Sequence, residues 1–473
     1  MKKFTKILLI GCLLVMVSCN NWLDVDPKSQ VKDKDLFASE MGFKEALSGV
    51  YSLMTKEGLY GKELTFGWLG VLGQEWTSVP YNYEDDQKYD FENAASEVRI
   101  DSVWTGLYNA IANANKLLKE LEGKENLFSG DNYFIIKGEV LALRAYLHFD
   151  LLRIFGASCA VGMERIAIPY VTEYAPTIFP QEKVGDFVGK VLKDLQDAAK
   201  CLENDPILTG RTVSEIDDNG YLMNRQVHLN YYAVKGLMAR VYLYKGDYAN
   251  AEVCAKEVIG SGCFEWVKQE NLTNESVADL TFSTEHLFAL NIVTLGNIVD
   301  KYLDGGNNSF ALEESRLSEY YGSSYDYRYL YLFKTGVGMS NTLRYLKKYD
   351  QLESVSWAQS YRNKLPLICL PEMYYILAEC RYHSSGDVLE PLNEVCRHRG
   401  VADLSEADLS AFETLLLAEY RKEVIGGGQL FFQYKRLNRS VVPGTDVDLA
   451  GEGRYVIPMP KEELENPGWV SNQ

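Results

Sequence analysis

The chain has 473 residues, of which 47% are hydrophobic and 24% are charged, a balance typical of a globular protein that buries a large core. Its formal net charge is −18 at pH 7. A surface this acidic repels phosphate backbones and anionic lipid headgroups, which argues against a nucleic-acid partner and against electrostatic docking to a membrane.

Residues 1–18 are predicted to be an export signal. Three lysines precede an apolar run, residues 7–17, that is about half as long as the roughly 20 residues that a membrane-crossing helix needs. The run ends in Val-Ser-Cys, which resembles a bacterial lipobox. That resemblance implies cleavage before Cys19 and acylation of Cys19, so that residues 19–34 form a lipid-anchored tether. An ordinary signal peptide with a chance cysteine is the alternative.

Helical periodicity dominates residues 35–473, which we assign to one mostly α-helical domain. Apolar residues return at spacings of three and four in eight segments. These segments are residues 35–54, 98–121, 133–155, 183–202, 229–244, 249–259, 370–382 and 412–424.

One helix pair has the pattern of a tetratricopeptide unit. Within residues 233–259, the small residue Ala239 lets the two helices approach closely, and Gly246 with Asp247 makes the turn between them. A weaker unit lies in residues 372–400. Because such pairs cannot bury their apolar faces alone, we expect about four of them to stack.

Three long segments without helical period, residues 66–93, 281–357 and 441–473, are the predicted walls of a binding site. Sugar rings stack on Trp and Tyr while their hydroxyls bond to polar side chains, so aromatic residues in the first two segments are candidates for a glycan platform. A buried tryptophan is at least as common as a stacking one, and that alternative stays open for each. The candidate ligand-binding residues are Trp68, Trp76, Tyr81, Asn82, Tyr320, Tyr321 and Trp357.

No enzyme signature is found. The chain lacks H-E-x-x-H, G-x-S-x-G and P-loop motifs, and its five histidines never fall at a spacing that would place two on one helix face. We therefore predict no catalytic residue, no metal site and no cofactor. His148 is expected to be a core residue.

Structural roles are predicted for three other pairs of residues. Asp326 and Arg328 are expected to form a salt bridge that anchors a loop, and Glu139 and Arg144 to bridge helices rather than touch a ligand. Cys254 and Cys263 are the one locally plausible disulfide, supported only by their proximity.

Motifs spread over nearly the whole chain follow one order. After the lipobox comes "CNNWLDVDP", then "WTGLYNAIANAN" (104–115) and "GEVLALRAYLHFDLLRIFG" (138–156), and later "LPEMYYILAEC", "LNEVCRHRG" and "YVIPMPKEEL". In this order they resemble the SusD/RagB family of Bacteroidetes outer-membrane nutrient-binding lipoproteins. A charged motif that is usual in this family is only partly present, in residues 419–436. We therefore expect part of the family's charge network to be lost.

The resemblance implies a SusD-like fold, with tetratricopeptide-like helix pairs as scaffold and long loops carrying the ligand site. It also implies a binding protein rather than an enzyme. Such a protein captures nutrient oligomers, usually glycans, at the cell surface and delivers them to a SusC-like TonB-dependent transporter. Two alternatives remain: the same architecture binding peptides, and a secreted helical-repeat hydrolase.

Overall fold

The computed structural model describes residues 34–209, 220–274, 278–336, 342–351 and 361–472. The predicted signal, Cys19 and Trp357 lie outside these residues. The fold is mostly α-helical, as predicted, and all eight predicted segments are helical. The helices of ten or more residues are α1 Glu40–Met54, α2 Ala94–Leu121, α3 Asn132–Phe155, α4 Val184–Cys201, α5 Tyr231–Lys245, α6 Tyr248–Ile259, α7 Leu370–Ser384, α8 Leu389–His398 and α9 Phe412–Val424.

Helices α1 to α8 form one row, in which each helix packs against the next. The row agrees with the expected stack of about four pairs. The turn between α5 and α6 is the predicted one: Gly246 has a left-handed backbone, with φ of 80°, and the side chain of Asp247 caps α6 by accepting a bond from Asn250 N. Ala239 and Ala251 are fully buried, which lets these helices approach closely.

Side-chain capping explains why α2 begins before its apolar period does. The period starts at residue 98, whereas the helix starts at Ala94. Asn93 lies just before it, and its Oδ1 accepts hydrogen bonds from Ala95 N and Ser96 N, both at 3.0 Å. These bonds satisfy two amide groups that would otherwise have no partner in the first turn.

Residues 281–357, expected to lack regular structure, contain four short strands. β1 His286–Asn291 pairs with β5 Lys364–Cys369, antiparallel, with His286 opposite Cys369. β2 Leu312–Glu313, β3 Phe333–Thr335 and β4 Leu343–Leu346 form an antiparallel sheet in the order β2-β4-β3. Short helices among the described residues span Trp68–Leu72, Glu84–Gln87, Cys159–Gly162, Pro206–Thr209, Glu270–Thr273, Leu295–Tyr302, Glu314–Tyr321, Tyr327–Tyr331 and Leu430–Arg436.

The pair of strands β1 and β5 packs on α5 at Gly236. A Cβ at this position would lie 2.8 Å from Leu287 Cδ2 and 3.2 Å from Ile368 Cγ2. Any larger residue would force the Leu287 side chain to shift, so glycine favours this close approach of the strands to the helical row.

Buried ion pairs join α3 to its neighbours, as the sequence predicts. Arg144 donates to both carboxylate oxygens of Asp194 on α4, each at 2.7 Å. Glu139 accepts from Arg225 at 2.6 Å, and Arg225 also donates to Asp205 at 2.8 Å. The pairs therefore bridge elements of the scaffold, and none of these side chains faces an open site.

A second buried network lies where part of a charge network was expected to be lost. Arg328 bonds to Asp326 at 2.7 Å, as predicted, and also to Glu423 at 2.9 Å. Arg399 donates to Glu423 at 2.8 Å and to Glu285 at 2.5 Å. Glu423 is thus shared by two arginines, so the residues that remain in this region still form a connected network.

Two further expectations concern single side chains. His148 is fully buried, as predicted, with Nδ1 2.9 Å from Arg144 O. Cys254 is buried and Cys263 exposed, and both are free thiols. The disulfide considered for them is therefore absent from this structure.

Candidate functional site

The first two long loop segments meet at one junction. Ser78 N donates to Ala311 O at 3.0 Å, and Ala311 N donates to Ser78 O at 3.0 Å. Glu313 N donates to Thr77 Oγ1 at 2.7 Å. Residues far apart in the chain are therefore adjacent here, as a shared binding surface would require.

A buried aromatic cluster supports this junction from below. The ring of Phe310 lies 6.0 Å from Phe66, 6.1 Å from Trp76 and 5.1 Å from Tyr83, measured between ring centroids. Trp76 is 2% exposed, and its Nε1 donates to Phe66 O at 2.7 Å. Trp76 therefore belongs to the base of the junction.

Trp68 is also part of this interior. It is fully buried, and its Nε1 donates to Asp86 Oδ1 at 2.9 Å. Asp86 also accepts from Ser96 Oγ at 3.0 Å and is paired with Arg99. Burial raises the pKa of Asp86 to about 6, although Arg99 and these hydrogen bonds act in the opposite direction.

The structure corrects the exposure expected for three candidates, Trp68, Trp76 and Tyr321. Tyr321 is buried, and its hydroxyl donates to Lys422 O at 3.0 Å. In all three, the ring packs in the core and the polar atom has an internal partner, so none can stack on a ligand in this conformation. Tyr320 is half-buried, with the Arg421 guanidinium 4.2 Å from its ring centroid.

Tyr81 and Asn82 are the two candidates that the structure exposes. Tyr81 is 87% exposed and begins the 3₁₀ turn Tyr81–Tyr83. Tyr83 N donates to Pro80 O at 2.8 Å, and Arg99 Nη2 donates to Asn82 O at 3.1 Å, so the backbone of the turn is anchored. The ring of Tyr81 projects from a supported base.

We call the exposed part of this junction the loop surface. Its members are side chains that reach solvent around the turn and the Ser78–Ala311 bridge. They are Thr77, Ser78, Tyr81, Asn82 and Glu313.

A separate aromatic groove of about 420 Å³ was not predicted. Trp104 and Tyr108 of α2 line it together with Trp469, whose ring centroid lies 6.4 Å from that of Trp104. Trp104 Nε1 already donates to Glu463 Oε1 at 2.9 Å. The four-residue spacing of Trp104 and Tyr108 places both rings on one face of α2 and could have been used to predict part of this groove. Trp469 is distant in the sequence and contacts α2 only in the tertiary structure.

The region that the structure describes offers no cluster of three or more His, Cys, Asp or Glu arranged for a metal ion. Nor does any helix in that region combine the length and apolar character needed to cross a bilayer.

Comparison with known proteins shows a similarity to one family. Residues 21–243 match the SusD-like family model described as "Starch-binding associating with outer membrane". A SusD-like protein of Formosa agariphila is 25% identical over 269 residues, which cover 56% of this chain and 47% of that protein. The chain is therefore similar to the SusD-like family over about half of its length. The match spans about half the length of this curated relative.

Solved structures share the SusD-like fold over most of the chain. A SusD superfamily protein from Bacteroides thetaiotaomicron has a TM-score of 0.73 at 21% identity, covering 92% of this chain and 100% of that one. A structure described as a laminarin binding SusD-like protein has a TM-score of 0.63 at 19% identity, covering 91% and 100%. The SusD-like fold that the resemblance implied is therefore confirmed.

Proposed function

We propose that this SusD-like protein binds glycan oligomers at its loop surface and delivers them to a SusC-like TonB-dependent transporter. In this proposal it is a binding protein without catalytic activity, anchored through acylated Cys19 to the outer membrane and facing the exterior. The description of the family model and the laminarin-binding neighbour support glycans as the ligand class. A transporter gene beside the gene of this protein would support the delivery step.

The observation that carries the proposal is the outward ring of Tyr81 beside Asn82. An exposed ring offers a flat apolar face to the C–H groups of a sugar, and nearby polar groups can bond to its hydroxyls. Asn82 follows Tyr81 in the chain, and Thr77 and Glu313 add hydroxyl and carboxylate groups to the same loop surface. The aromatic groove is less suited, because Trp104 is buried and its indole N–H already has a partner.

Two other functions are separated from this one by direct binding measurements. A glycan array and a peptide library, each applied to protein from residue 20 onward, distinguish glycan cargo from peptide cargo. Turnover of a bound oligomer would instead support the helical-repeat hydrolase.

We expect Tyr81→Ala to weaken binding of the glycan identified on the array by about two- to tenfold, the size of one aromatic contact. The thermal unfolding midpoint should not change, because the ring is exposed. Tyr325→Ala is the matched control, since Tyr325 is 76% exposed but lies beside Gly400 at the end of α8. Equal affinities for wild type and Tyr81→Ala would remove Tyr81 from the site.

Cys19→Ser should abolish acylation, because serine lacks the thiol to which the lipid is attached. We expect the variant to be uncleaved or mislocalised and to leave the detergent phase in a phase-partitioning experiment. Cys12→Ser, within the predicted signal, is the control and should partition as wild type does. Unchanged partitioning of Cys19→Ser would contradict the lipoprotein assignment, and proteolysis of whole cells tests the outward orientation.

A further inference from the structure

A second cavity, of about 450 Å³, lies beyond the end of α3. It is bounded by residues 157–165, by the end of the short helix Leu430–Arg436 and by residues 449–456. Its charged and polar lining includes Ser158, Arg165, Lys435, Arg454 and Glu452. Three cations and one carboxylate thus face a single cavity in a chain whose net charge is −18. We call it the Lys435 cavity.

Lys435 is fully buried without a counter-ion. Its Nζ donates to Ile154 O at 3.2 Å, and none of the described carboxylates lies within ion-pair distance of it. Burial, with Arg153 and Arg165 nearby, holds the pKa of Lys435 well below its ordinary value. A negative charge in the cavity would stabilise the protonated form of Lys435, which burial disfavours.

Ser158 supplies a second unused polar group. It is 3% exposed, and its Oγ has no hydrogen-bond partner among the described residues. A buried hydroxyl without a partner is costly, so one that lines a cavity is available to a ligand. Ser158 and Lys435 therefore offer donors from the buried wall.

Two arginines lie at the exposed part of the cavity. The side chain of Arg165 makes no ion pair with a described residue, and Arg454 is only loosely paired, with Nε 3.4 Å from Glu452 Oε2. Guanidinium groups bind carboxylates through paired, charge-assisted hydrogen bonds. An anionic group entering the cavity would thus meet cations at its mouth and donors within.

We propose that the Lys435 cavity binds the carboxylate of an acidic sugar unit. A volume of about 450 Å³ lies in the range of small-molecule sites and far exceeds the roughly 30 Å³ that one water occupies, so the cavity has room for a whole sugar unit. Apolar side chains of Val161 and Val456 complete the lining and suit a sugar's C–H groups. The inference that the ligand is a sugar rests on the proposed glycan function. The inference that the ligand carries a negative charge rests on the cavity alone.

The test measures binding of glucuronate to the full mature protein in detergent by titration calorimetry, with glucose and inorganic sulfate as comparison ligands. We expect glucuronate to bind and glucose not to bind. Arg165→Gln and Lys435→Met should each weaken glucuronate binding by about tenfold or more. Arg165 is exposed, so its variant tests the site even if Lys435→Met fails to fold. Lys461→Met, at an exposed lysine elsewhere, should bind as wild type does.

Several results would overturn the proposal. These are absence of glucuronate binding, equal binding of glucose, binding of sulfate alone, and unchanged affinity in Arg165→Gln. Binding of the glycan from the array is measured on Tyr81→Ala, and binding of glucuronate is measured on Arg165→Gln. Failure of the loop-surface proposal is thereby distinguishable from failure of this one.

Discussion

Replacing Arg225 with alanine should lower the free energy of unfolding by about 3–5 kcal/mol. Arg225 is buried, and it pairs with Glu139 at 2.6 Å and with Asp205 at 2.8 Å; both carboxylates are fully buried. The substitution leaves two buried carboxylates without their guanidinium, which costs more than the pair itself contributes. Urea unfolding at pH 7 measures the effect.

The effect of Arg225→Ala should also depend on pH. Burial alone would raise the pKa of Glu139, but Arg225 and His228 outweigh it and lower the pKa from 4.5 to about 2. A lowered folded-state pKa contributes stability above pH 4.5, and this contribution is lost as the pH falls through 4.5 toward 2. The gap in stability between wild type and variant should therefore narrow on acidification from pH 7 to pH 3.

The control for this prediction is Lys183→Ala. Lys183 pairs with Glu164 at 2.7 Å, but both side chains are exposed. Water and salt screen such a pair, so this variant should unfold almost as wild type does. Equal stability of wild type and Arg225→Ala at pH 7 would show that the buried cluster is not what holds α3 to residues 205–228.

Replacing Trp76 with alanine should cost about 3–5 kcal/mol of stability, because it removes a ring buried against Phe310 and leaves a cavity. Trp76→Phe should cost less, about 1–3 kcal/mol, since it keeps a ring but leaves Phe66 O without the indole donor. Thermal unfolding and glycan affinity measured on the same variants provide the check. Unchanged stability with a large loss of affinity would place Trp76 on the ligand surface after all.

The pattern expected for Trp76→Ala is the opposite of that expected for Tyr81→Ala. The first should change stability and the second affinity, although the two aromatic residues lie in the same loop segment. Measuring both properties on both variants therefore tests the assignment of one ring to the core and the other to the loop surface.

Local sequence signals predicted the scaffold well. The three- and four-residue apolar period located α1 to α7 and α9, because a helix must bury one face along its length. The Gly246-Asp247 turn was predictable for a similar reason, since the left-handed backbone at Gly246 is a local requirement. The order of motifs also showed the resemblance to the SusD-like family, because those motifs can be found in the sequence without the structure.

The candidate site was predicted less well. Trp76 and Tyr81 belong to the same segment and carry rings of similar chemistry, and no periodicity separates them. Trp76 is covered because Phe310, from the other loop segment, packs against it, while Tyr81 is left 87% exposed by the residues that the structure describes. Trp469 reaches Trp104 in the same way, through a contact between distant parts of the chain.

The sequence by itself thus determined the helical scaffold and its tetratricopeptide-like turn, both of which depend on neighbouring residues. Only the tertiary structure decided which aromatic rings reach solvent, and that Lys435 and Ser158 line one cavity with Arg165. Burial depends on what packs on a side chain from elsewhere in the chain, and local pattern does not contain that information.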